Sequence, residues 1–258
     1  RTGDVYQANM TQRFKAKLEM DPFKLYHRLR SINPAPFSAW LDYGDFQIAS
    51  SSPERFLEIR DRRVETRPIK GTRPRGRNSD EDNFNRTELE NSNKDKSELL
   101  MIVDLERNDL SKVAKDGTVK VPELFVIEEY PTVFHLVSTV TADIDDEFST
   151  LDCIRNAFPG GSITGAPKIR AMEIIDELEP TTRNIYTGSI GYIDFNGNAD
   201  LNIVIRTILI KDGEARFQTG GGIVWDSEEE KEYEETFHKA RALMDALGIN
   251  TDFISYRL

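Results

Sequence analysis

Hydrophobic and polar residues follow two kinds of spacing in the first third of the chain, one typical of a helix and one typical of strands. Phe23, Tyr26 and Leu29 recur at helical spacing within Phe23–Ile32, directly after Asp21-Pro22. The segments that follow have strand-like composition and are joined by Gly-Asp and Asp-Arg turns. The predicted strands here are Phe37–Leu41, Phe46–Ser50, Glu54–Arg60 and Arg63–Ile69.

From Ser79 the sequence is polar, which predicts a solvated loop leading into a helix from about Asp95 to Val113. The second half contains further strands and helices. In order, they are strands Val119–Glu129 and Val133–Ile144, helices Thr150–Phe158 and Ala166–Leu178, a meander of strands Thr187–Phe195, Ala199–Ile210 and Glu214–Gln218, and a closing helix Glu228–Leu247. This order predicts one α+β domain over residues 1–258, with mostly antiparallel pairing.

Composition narrows the class of protein. Asp and Glu number 45 against 34 Lys and Arg, a formal net charge of −11, which disfavours partners such as nucleic acid and anionic membranes. The longest apolar run, Leu201–Ile210, is well short of the ~20 residues of a membrane span. Cys153 is the only cysteine, so an internal disulfide is excluded, and we expect a buried thiol in a cytoplasmic protein. The chain begins without Met, within sequence typical of a domain interior, which suggests an N-terminally truncated fragment.

The closing helix carries the clearest candidate metal ligands. Ser227 and Glu230 have the spacing of a capping box. Glu232, Glu235 and Lys239 fall within about 60° of one another around the helix axis. Two carboxylates at this spacing can share a hard cation such as Mg²⁺. The alternative is a solvated acidic first turn favoured by the helix dipole.

Asp95 and Glu98 repeat this spacing in the middle helix, directly before the apolar run Leu99–Val103. Spacing alone leaves two interpretations open. The two helices, with one acidic pair each, hold a single metal ion, or both pairs are merely solvated.

A glycine-rich loop runs from Gly160 to Gly165. A Walker A loop requires Gly-Lys-Ser/Thr at its end, but here Ala166-Pro167 follow and Lys168 comes too late. Nucleotide binding is therefore disfavoured. A glycine loop that leads into a helix can still bind an anion through free N–H groups, and a carboxylate fits there as well as a phosphate.

Lys and Arg are concentrated in residues 60–77, which predicts either an exposed basic hairpin or, less favoured, an RNA contact. Lys70 precedes Gly71-Thr72 at a strand end, flanked by Arg67 and Arg73. Neighbouring cations or burial lower the pKa of a lysine and make it a nucleophile. Lys70 is therefore a candidate nucleophile.

Glu54 and His135 are the remaining candidates for proton chemistry. Glu54 begins a strand, and a carboxyl group shielded by a sheet can act as a proton donor. His135 lies in an apolar strand, where a hydrogen-bonded core histidine and a catalytic histidine are both possible interpretations.

Collinear motifs cover nearly the whole chain. They are Gly3-Asp-Val-Tyr-Gln7, Ser52-Pro-Glu-Arg-Phe56, Pro68-Ile-Lys-Gly-Thr72, Glu98 followed by Asp104-Leu-Glu-Arg-Asn-Asp109, His135-Leu-Val-Ser138, Gly165-Ala-Pro-Lys168, Ile205-Arg206, Gly220-Gly-Gly222 and Glu232-Tyr-Glu-Glu235 with Lys239. This set resembles the catalytic region of the chorismate-binding family, which includes anthranilate synthase component I, aminodeoxychorismate synthase component I and isochorismate synthases. The resemblance implies antiparallel sheets packed as a sandwich with helices outside, in a family whose members have an additional N-terminal region.

The resemblance also implies a mechanism that requires Mg²⁺. Glu98 and Glu235, helped by Asp95 or Glu232, would bind the metal ion, Lys70 would attack the ring of chorismate, and Glu54 would protonate the departing hydroxyl. His135 would lie against the ring. The substrate carboxylates would be held by Gly71, Thr72, Ser162, Tyr186, Arg206, Gly220, Gly221, Gly222 and Lys239.

Two positions distinguish members of this family. Anthranilate-forming members are similar to one another in having alanine where this chain has Lys70, and isochorismate-forming members have a lysine where it has Gln7. The combination implies amination of chorismate to 4-amino-4-deoxychorismate, with ammonia from a glutamine amidotransferase partner. Formation of anthranilate plus pyruvate is the alternative, and a non-catalytic chorismate-binding paralogue is a third possibility.

Overall fold

The computed structural model describes residues 3–249. The strands, in chain order, are β1 (Gln7–Lys17), β2 (Phe37–Asp42), β3 (Phe46–Ser52), β4 (Arg55–Arg60), β5 (Arg63–Thr66), β6 (Ile69–Pro74), β7 (Lys120–Glu129), β8 (Val133–Asp143), β9 (Gly165–Ala166), β10 (Gly191–Ile193), β11 (Ala199–Asn202), β12 (Thr207–Lys211) and β13 (Glu214–Val224). The helices are α1 (Pro22–Ile32), α2 (Ser79–Asn91), α3 (Asn93–Ser111), α4 (Thr150–Ala157), α5 (Lys168–Leu178) and α6 (Glu229–Leu247). The predicted α+β class with antiparallel sheets is confirmed.

The chain forms two compact units. Unit 1 comprises residues 1–54, 163–190 and 202–258, and unit 2 comprises residues 55–162 and 191–201. Both units are therefore assembled from segments that are distant in sequence. The prediction of one functional domain over residues 1–258 stays a prediction.

Unit 1 is built on a six-stranded sheet with the order β2-β3-β12-β13-β1-β9. Leu25 and Leu29 of α1 and Leu243 of α6 are fully buried in a core cluster with Phe217 of β13. Phe14 stacks on Phe217 with a ring-centroid distance of 5.0 Å. The apolar stripes of the two helices therefore cover one face of this sheet, which follows from their helical periodicity.

Unit 2 contains a seven-stranded sheet in which β10, β11, β4, β5, β8 and β6 are neighbours in that order and β7 also pairs with β8. Helix α3 packs against β8. Its residues Leu99 and Ile102 are fully buried, as are Phe134 and Leu136 of β8 at 1% exposure or less. The apolar face of α3 thus fixes the helix that carries Asp95 and Glu98.

Local sequence explains where several helices begin and end. The Asp21 side chain accepts a hydrogen bond from the N–H of Lys24 at 3.0 Å, and Pro22 occupies the first turn of α1. Ser149 and Asp152 form a capping box at the start of α4. Helix α6 ends at Gly248, which has a left-handed φ of +77°.

The predicted loop between Ser79 and Asp95 is wrong, because α2 occupies most of it. Only Leu89 of α2 is buried, so the helix lacks the apolar stripe that periodicity detects. Its N-terminus is stabilised instead by the Asn78 side chain, which accepts hydrogen bonds from two N–H groups of the first turn, and by three acidic residues there.

Two strand predictions need correction, and one strand was not predicted. Arg63–Ile69 is divided between β5 and β6, which both pair with β8. The division falls at Arg67-Pro68, because Pro68 has no N–H to donate to the ladder. Ala199–Ile210 is divided between β11 and β12, which belong to different sheets, so the predicted three-stranded meander is wrong. Strand β1 was not predicted, and its Gln7–Lys17 pairs along its whole length with β13.

Cys153 is fully buried in α4, and burial raises the pKa of its thiol to about 12, as expected of a structural cysteine. No helix within residues 3–249 is long and apolar enough to cross a membrane.

A buried ion pair ties together distant segments of unit 1. Arg183 and Glu179 lie 2.7 Å apart, with side chains 14% and 4% exposed. Glu179 also accepts hydrogen bonds from the backbone and hydroxyl of Thr11 in β1, at 3.0 and 2.9 Å. Arg183 donates to the backbone carbonyls of Ile163 and Asn9. The pair therefore joins the end of α5 to β1 and to the glycine loop.

We expect Glu179→Ala to lower the free energy of unfolding by about 3 kcal/mol, because it leaves the buried Arg183 without its carboxylate. Urea denaturation of the variant measures this change. The control is Glu90→Ala, which removes an exposed pair with Arg86 and should change stability by less than about 0.5 kcal/mol. Equal effects of the two substitutions would contradict a stabilising role for the buried pair.

Candidate active site

Lys70 lies at an irregularity of β6 in unit 2. The pairing of β6 with β8 shifts register between Ile69 and Thr72, so Lys70 and Gly71 form a β-bulge. Gly71 has a φ of +83°, and a Cβ at this position would lie 2.8 Å from Cγ of Asp95. Only glycine lets the strand pass so close to α3. The bulge and this close approach fix the backbone that carries the half-buried Lys70.

The predicted metal ligands on α3 both have basic neighbours. Oδ2 of Asp95 accepts a hydrogen bond from Nη2 of Arg73 at 3.0 Å. The Glu98 carboxylate lies 3.9 Å from Nζ of the exposed Lys94, a distance at which an ion pair is weak. A cation that binds Asp95 would therefore compete with Arg73.

His135 faces β6 from the neighbouring strand β8. Its Nδ1 lies 2.9 Å from Oγ1 of Thr72. The ring of Tyr130 packs edge-on against it, with centroids 5.4 Å apart. These two contacts fix the imidazole orientation, and the side chain is half-buried. The hydrogen bond fits either interpretation of His135 that the sequence leaves open.

Ser162 is buried in the 3₁₀ turn Gly161–Ile163, which lies within the predicted anion loop from Gly160 to Gly165. Helix α5 begins at Lys168, and its N-cap, Pro167, provides no side-chain hydrogen bond. The first N–H groups of α5 are therefore not capped by that side chain. Anion binding by this loop stays a prediction.

In unit 1 the acidic pair of α6 lies over the glycine run of β13. A Cβ on Gly221 would lie 3.2 Å from Oε2 of Glu232 and 3.7 Å from Oε1 of Glu235. These two carboxylates converge on Gly221, which has no side chain to separate them from the backbone. Their oxygens form a set of ligands that suits a hard cation. Nζ of Lys239 lies 2.5 Å from Oε1 of Glu235 and 3.0 Å from the carbonyl oxygen of Gly220. Lys239 thus places a positive charge at the same position.

The capping box predicted for Ser227 and Glu230 is wrong. The N-cap of α6 is Glu228, and it makes no side-chain capping bond. Oγ of Ser227 donates instead to Oε1 of Glu232 at 2.6 Å and accepts from the N–H of Val224 at 3.0 Å. The hydroxyl therefore orients a predicted metal ligand, a role that its spacing in the sequence did not indicate.

Arg206 and Tyr186 lie in unit 1, and both are half-buried. Desolvation lowers the pKa of Arg206, and its guanidinium donates a hydrogen bond to the backbone carbonyl of Lys239. Desolvation raises the pKa of Tyr186 to about 12, and the charges of Glu179 and Glu54 add to this. A desolvated guanidinium is a favourable partner for an anion.

Glu54 is buried at 7% exposure in the link between β3 and β4. Its N–H donates to Oγ of Ser52 at 3.3 Å, and its carbonyl oxygen accepts from the N–H of Ile203 at 3.0 Å. These backbone bonds fix its position. The shielded environment that the sequence predicted for this carboxyl group is present, while its role as a proton donor stays a prediction.

Gln7 is fully buried at the start of β1, and neither amide atom has a hydrogen-bond partner in the described part of the chain. A Cβ on Gly222 would lie 2.6 Å from Nε2 of Gln7, so the glycine provides the space that the amide occupies. Buried amides are rarely left unsatisfied. This amide is thus available to a polar ligand of unit 1.

The predicted site residues divide between the two units. Unit 1 contains Glu54, Tyr186, Arg206, Gly220, Gly221, Gly222, Glu232, Glu235 and Lys239. Unit 2 contains Lys70, Gly71, Thr72, Asp95, Glu98, His135 and Ser162. Over residues 3–249, no three His, Cys, Asp or Glu side chains are close enough together to hold a metal ion. The structure shows two separate acidic pairs, and a shared Mg²⁺ site stays a prediction.

The basic segment of residues 60–77 is largely neutralised within unit 2. Its arginines form ion pairs with nearby carboxylates, including Arg67 with Glu128 at 2.6 Å and Arg75 with Asp82 at 2.6 Å. The contact with Arg75 lowers the pKa of Asp82 to about 2. Paired arginines have less charge to offer a phosphate backbone, so an RNA contact finds no support in this segment.

Comparison with known proteins agrees with the motif order. The family model for chorismate binding enzymes matches residues 1–245. Aminodeoxychorismate synthase component 1 of Salmonella typhimurium is 53% identical over 246 residues, which cover 95% of this chain and 54% of that protein. Anthranilate synthase component 1 of Aquifex aeolicus is 46% identical over 96% of this chain and 50% of that protein.

A solved structure has the same fold. Anthranilate synthase component I from Streptococcus pneumoniae matches with a TM-score of 0.86 and 37% identity, over 96% of this chain and 54% of that one. The chain spans about half the length of the curated relatives that it matches. The family resemblance inferred from the motifs is therefore confirmed, and the chain belongs to the family of chorismate binding enzymes.

Proposed function

We propose that the protein containing this chain aminates chorismate to 4-amino-4-deoxychorismate, a precursor of 4-aminobenzoate and folate. The observation that carries the proposal is Lys70, a primary amine held on the bulge of β6 by the approach of Gly71 to Asp95. Relatives named aminodeoxychorismate synthase component 1 support this reaction. Anthranilate formation is the alternative, since relatives of that name are almost as similar.

Lys70 would act as the nucleophile in two successive allylic displacements. Its amine attacks the ring carbon beside the carboxylate-bearing carbon, the ring double bond shifts, and the ring hydroxyl departs with a proton from Glu54. Ammonia then adds at the carbon that lost the hydroxyl, the double bond shifts back, and the lysine leaves. The amine therefore ends on the carbon that carried the hydroxyl.

Binding of the substrate carboxylates is assigned to cations and N–H groups. Arg206, whose guanidinium is desolvated, suits a bidentate contact with one carboxylate. Tyr186, with its pKa near 12, keeps its hydroxyl proton at neutral pH and can donate it. Ser162, Lys239 and the backbone at Gly71, Thr72 and Gly220 to Gly222 complete the proposed contacts, with His135 against the ring.

Mg²⁺ is proposed to be held by Glu98 and Glu235, with help from Asp95 or Glu232. The convergence of Glu232 and Glu235 on Gly221 is the observation that fits a cation. When bound, Mg²⁺ would withdraw electron density from the ring through the carboxylate. The ammonia is proposed to come from a glutamine amidotransferase, in keeping with relatives that are named as one component of a synthase.

Replacing Lys70 with alanine tests the proposal. With Mg²⁺, chorismate and ammonium, Lys70→Ala should lower the rate of aminodeoxychorismate formation by at least about 100-fold, because it removes the nucleophile. Chromatography of the reaction measures this rate. The matched control is Lys120→Ala, a change at an exposed lysine that should leave the rate within about twofold. A Lys70→Ala variant that keeps most of its rate would refute covalent catalysis by this residue.

Dependence on Mg²⁺ gives a second test. Glu235→Gln should raise the Mg²⁺ concentration needed for half-maximal rate by about tenfold or more, because it removes a charged ligand. Titration of the initial rate with MgCl₂ measures this shift. Glu230→Gln removes a carboxylate from the exposed side of the same helix and serves as the control. The ligand assignment is wrong if the two variants respond to Mg²⁺ alike, or if chelation of the metal leaves the wild-type rate unchanged.

A further inference from the structure

The buried face of α3 carries a second acidic pair, Glu106 and Asp109, which the proposed reaction does not use. Glu106 is 9% exposed and Asp109 is 2% exposed. Glu106 lies about 12 Å along the helix axis from Glu98, too far to bind the same metal ion. Burial of a carboxylate is unfavourable unless it is hydrogen-bonded, so its contacts indicate what it does.

Glu106 reaches the strand that leads to Lys70. Its Oε2 accepts a hydrogen bond from Oγ1 of Thr66 at 3.1 Å, and both side chains are buried. Thr66 is the last residue of β5, and β6 begins three residues later on the same partner strand, β8. A hydrogen bond to a charged acceptor is about twice as strong as a neutral one. This bond therefore fixes the end of β5, shortly before the bulge that carries Lys70.

Asp109, in contrast, makes an ion pair on its own helix. Its Oδ1 lies 3.1 Å from Nζ of Lys112, one turn away. Its carboxylate has a cation to balance its charge. The hydrogen bond from Thr66 connects Glu106 to β5, the strand that precedes Lys70.

The same part of α3 also supports the glycine loop. A Cβ on Gly161 would lie 2.9 Å from Cδ2 of Leu105 and 3.7 Å from Cγ of Glu106. A cavity of about 10 Å³ lies here and is lined in part by Thr66, Glu106 and Gly161. That volume is at the lower limit for one water molecule. Gly161, next to Ser162, therefore packs closely against Leu105 and Glu106 of α3.

We infer that Glu106 is a positioning residue, whose carboxylate fixes the strand that leads to Lys70 and whose Cγ packs against the loop that presents Ser162. The inference rests on the proposed function for the roles of those two residues. Glu106 touches neither the substrate nor the reacting atoms in this account. It acts through Thr66 on one side and through Gly161 on the other.

A double-mutant cycle in the protein containing this chain tests the inference. Thr66→Val removes the donor at nearly constant volume and should lower kcat about tenfold, with the KM for chorismate nearly unchanged. Glu106→Gln should lower kcat to a similar extent. Both variants act on one hydrogen bond, so the double variant should have a kcat within about twofold of Glu106→Gln. Glu106→Ala also removes the Cγ that packs against Gly161 and should in addition raise KM severalfold.

Two further variants separate positioning from general destabilisation. Thr66→Ser keeps the hydroxyl and should restore kcat to within about twofold of the wild type. Asp104→Asn changes an acid on the exposed side of α3 and should leave kcat and KM unchanged. The inference is overturned if Thr66→Val lowers the melting temperature but not kcat, or if the two losses in kcat multiply in the double variant.

Failure of the positioning role of Glu106 can be distinguished from failure of the proposed function. If the wild type forms anthranilate instead, the same cycle in kcat for anthranilate tests the positioning role. If the wild type forms no product, calorimetric titration with chorismate replaces turnover. Glu106→Ala should then weaken binding severalfold while Thr66→Val does not, and equal affinities of all variants would overturn the inference.

Discussion

The antiparallel pairing of β1 with β13 is the constraint on which unit 1 depends. It joins Gln7–Lys17 to Glu214–Val224 without a register shift, across most of the length of the chain. The pairing requires glycine on β13, since a Cβ at Gly220 would lie 2.2 Å from the carbonyl oxygen of Met10. The same glycine run lets α6 approach and provides the space for the Gln7 amide. The glycines that close strand packing requires therefore also form the surface over which Glu232 and Glu235 converge.

Local charge, and not net charge, decides what such a protein can bind. The formal charge of −11 disfavours an anionic ligand at long range, but screening limits that effect to roughly 10 Å at moderate salt. Most arginines of residues 60–77 are paired with carboxylates, whereas Arg206 is half-buried and its desolvation lowers its pKa. A dianion such as chorismate would therefore find its favourable contacts at a few specific cations.

The sequence predicted elements well where periodicity was strong, as in α1 and α6. The sequence did not predict elements whose stability depends on something other than an apolar stripe. Helix α2 buries only Leu89 and is held by its N-cap, and the apolar run Leu201–Ile210 is divided by Arg206, whose φ of +50° bends the chain from one sheet to another. At the site, spacing identified the acidic residues. The groups that contact them, Arg73 and Ser227, depend on tertiary packing and capping geometry that spacing alone did not reveal.

The most direct test of the proposed amination is the mass of the product that the protein containing this chain forms from chorismate, Mg²⁺ and isotopically heavy ammonium. Amination predicts a product that keeps the enolpyruvyl side chain and carries one heavy nitrogen in place of the ring hydroxyl. Heavy anthranilate released together with pyruvate would contradict it.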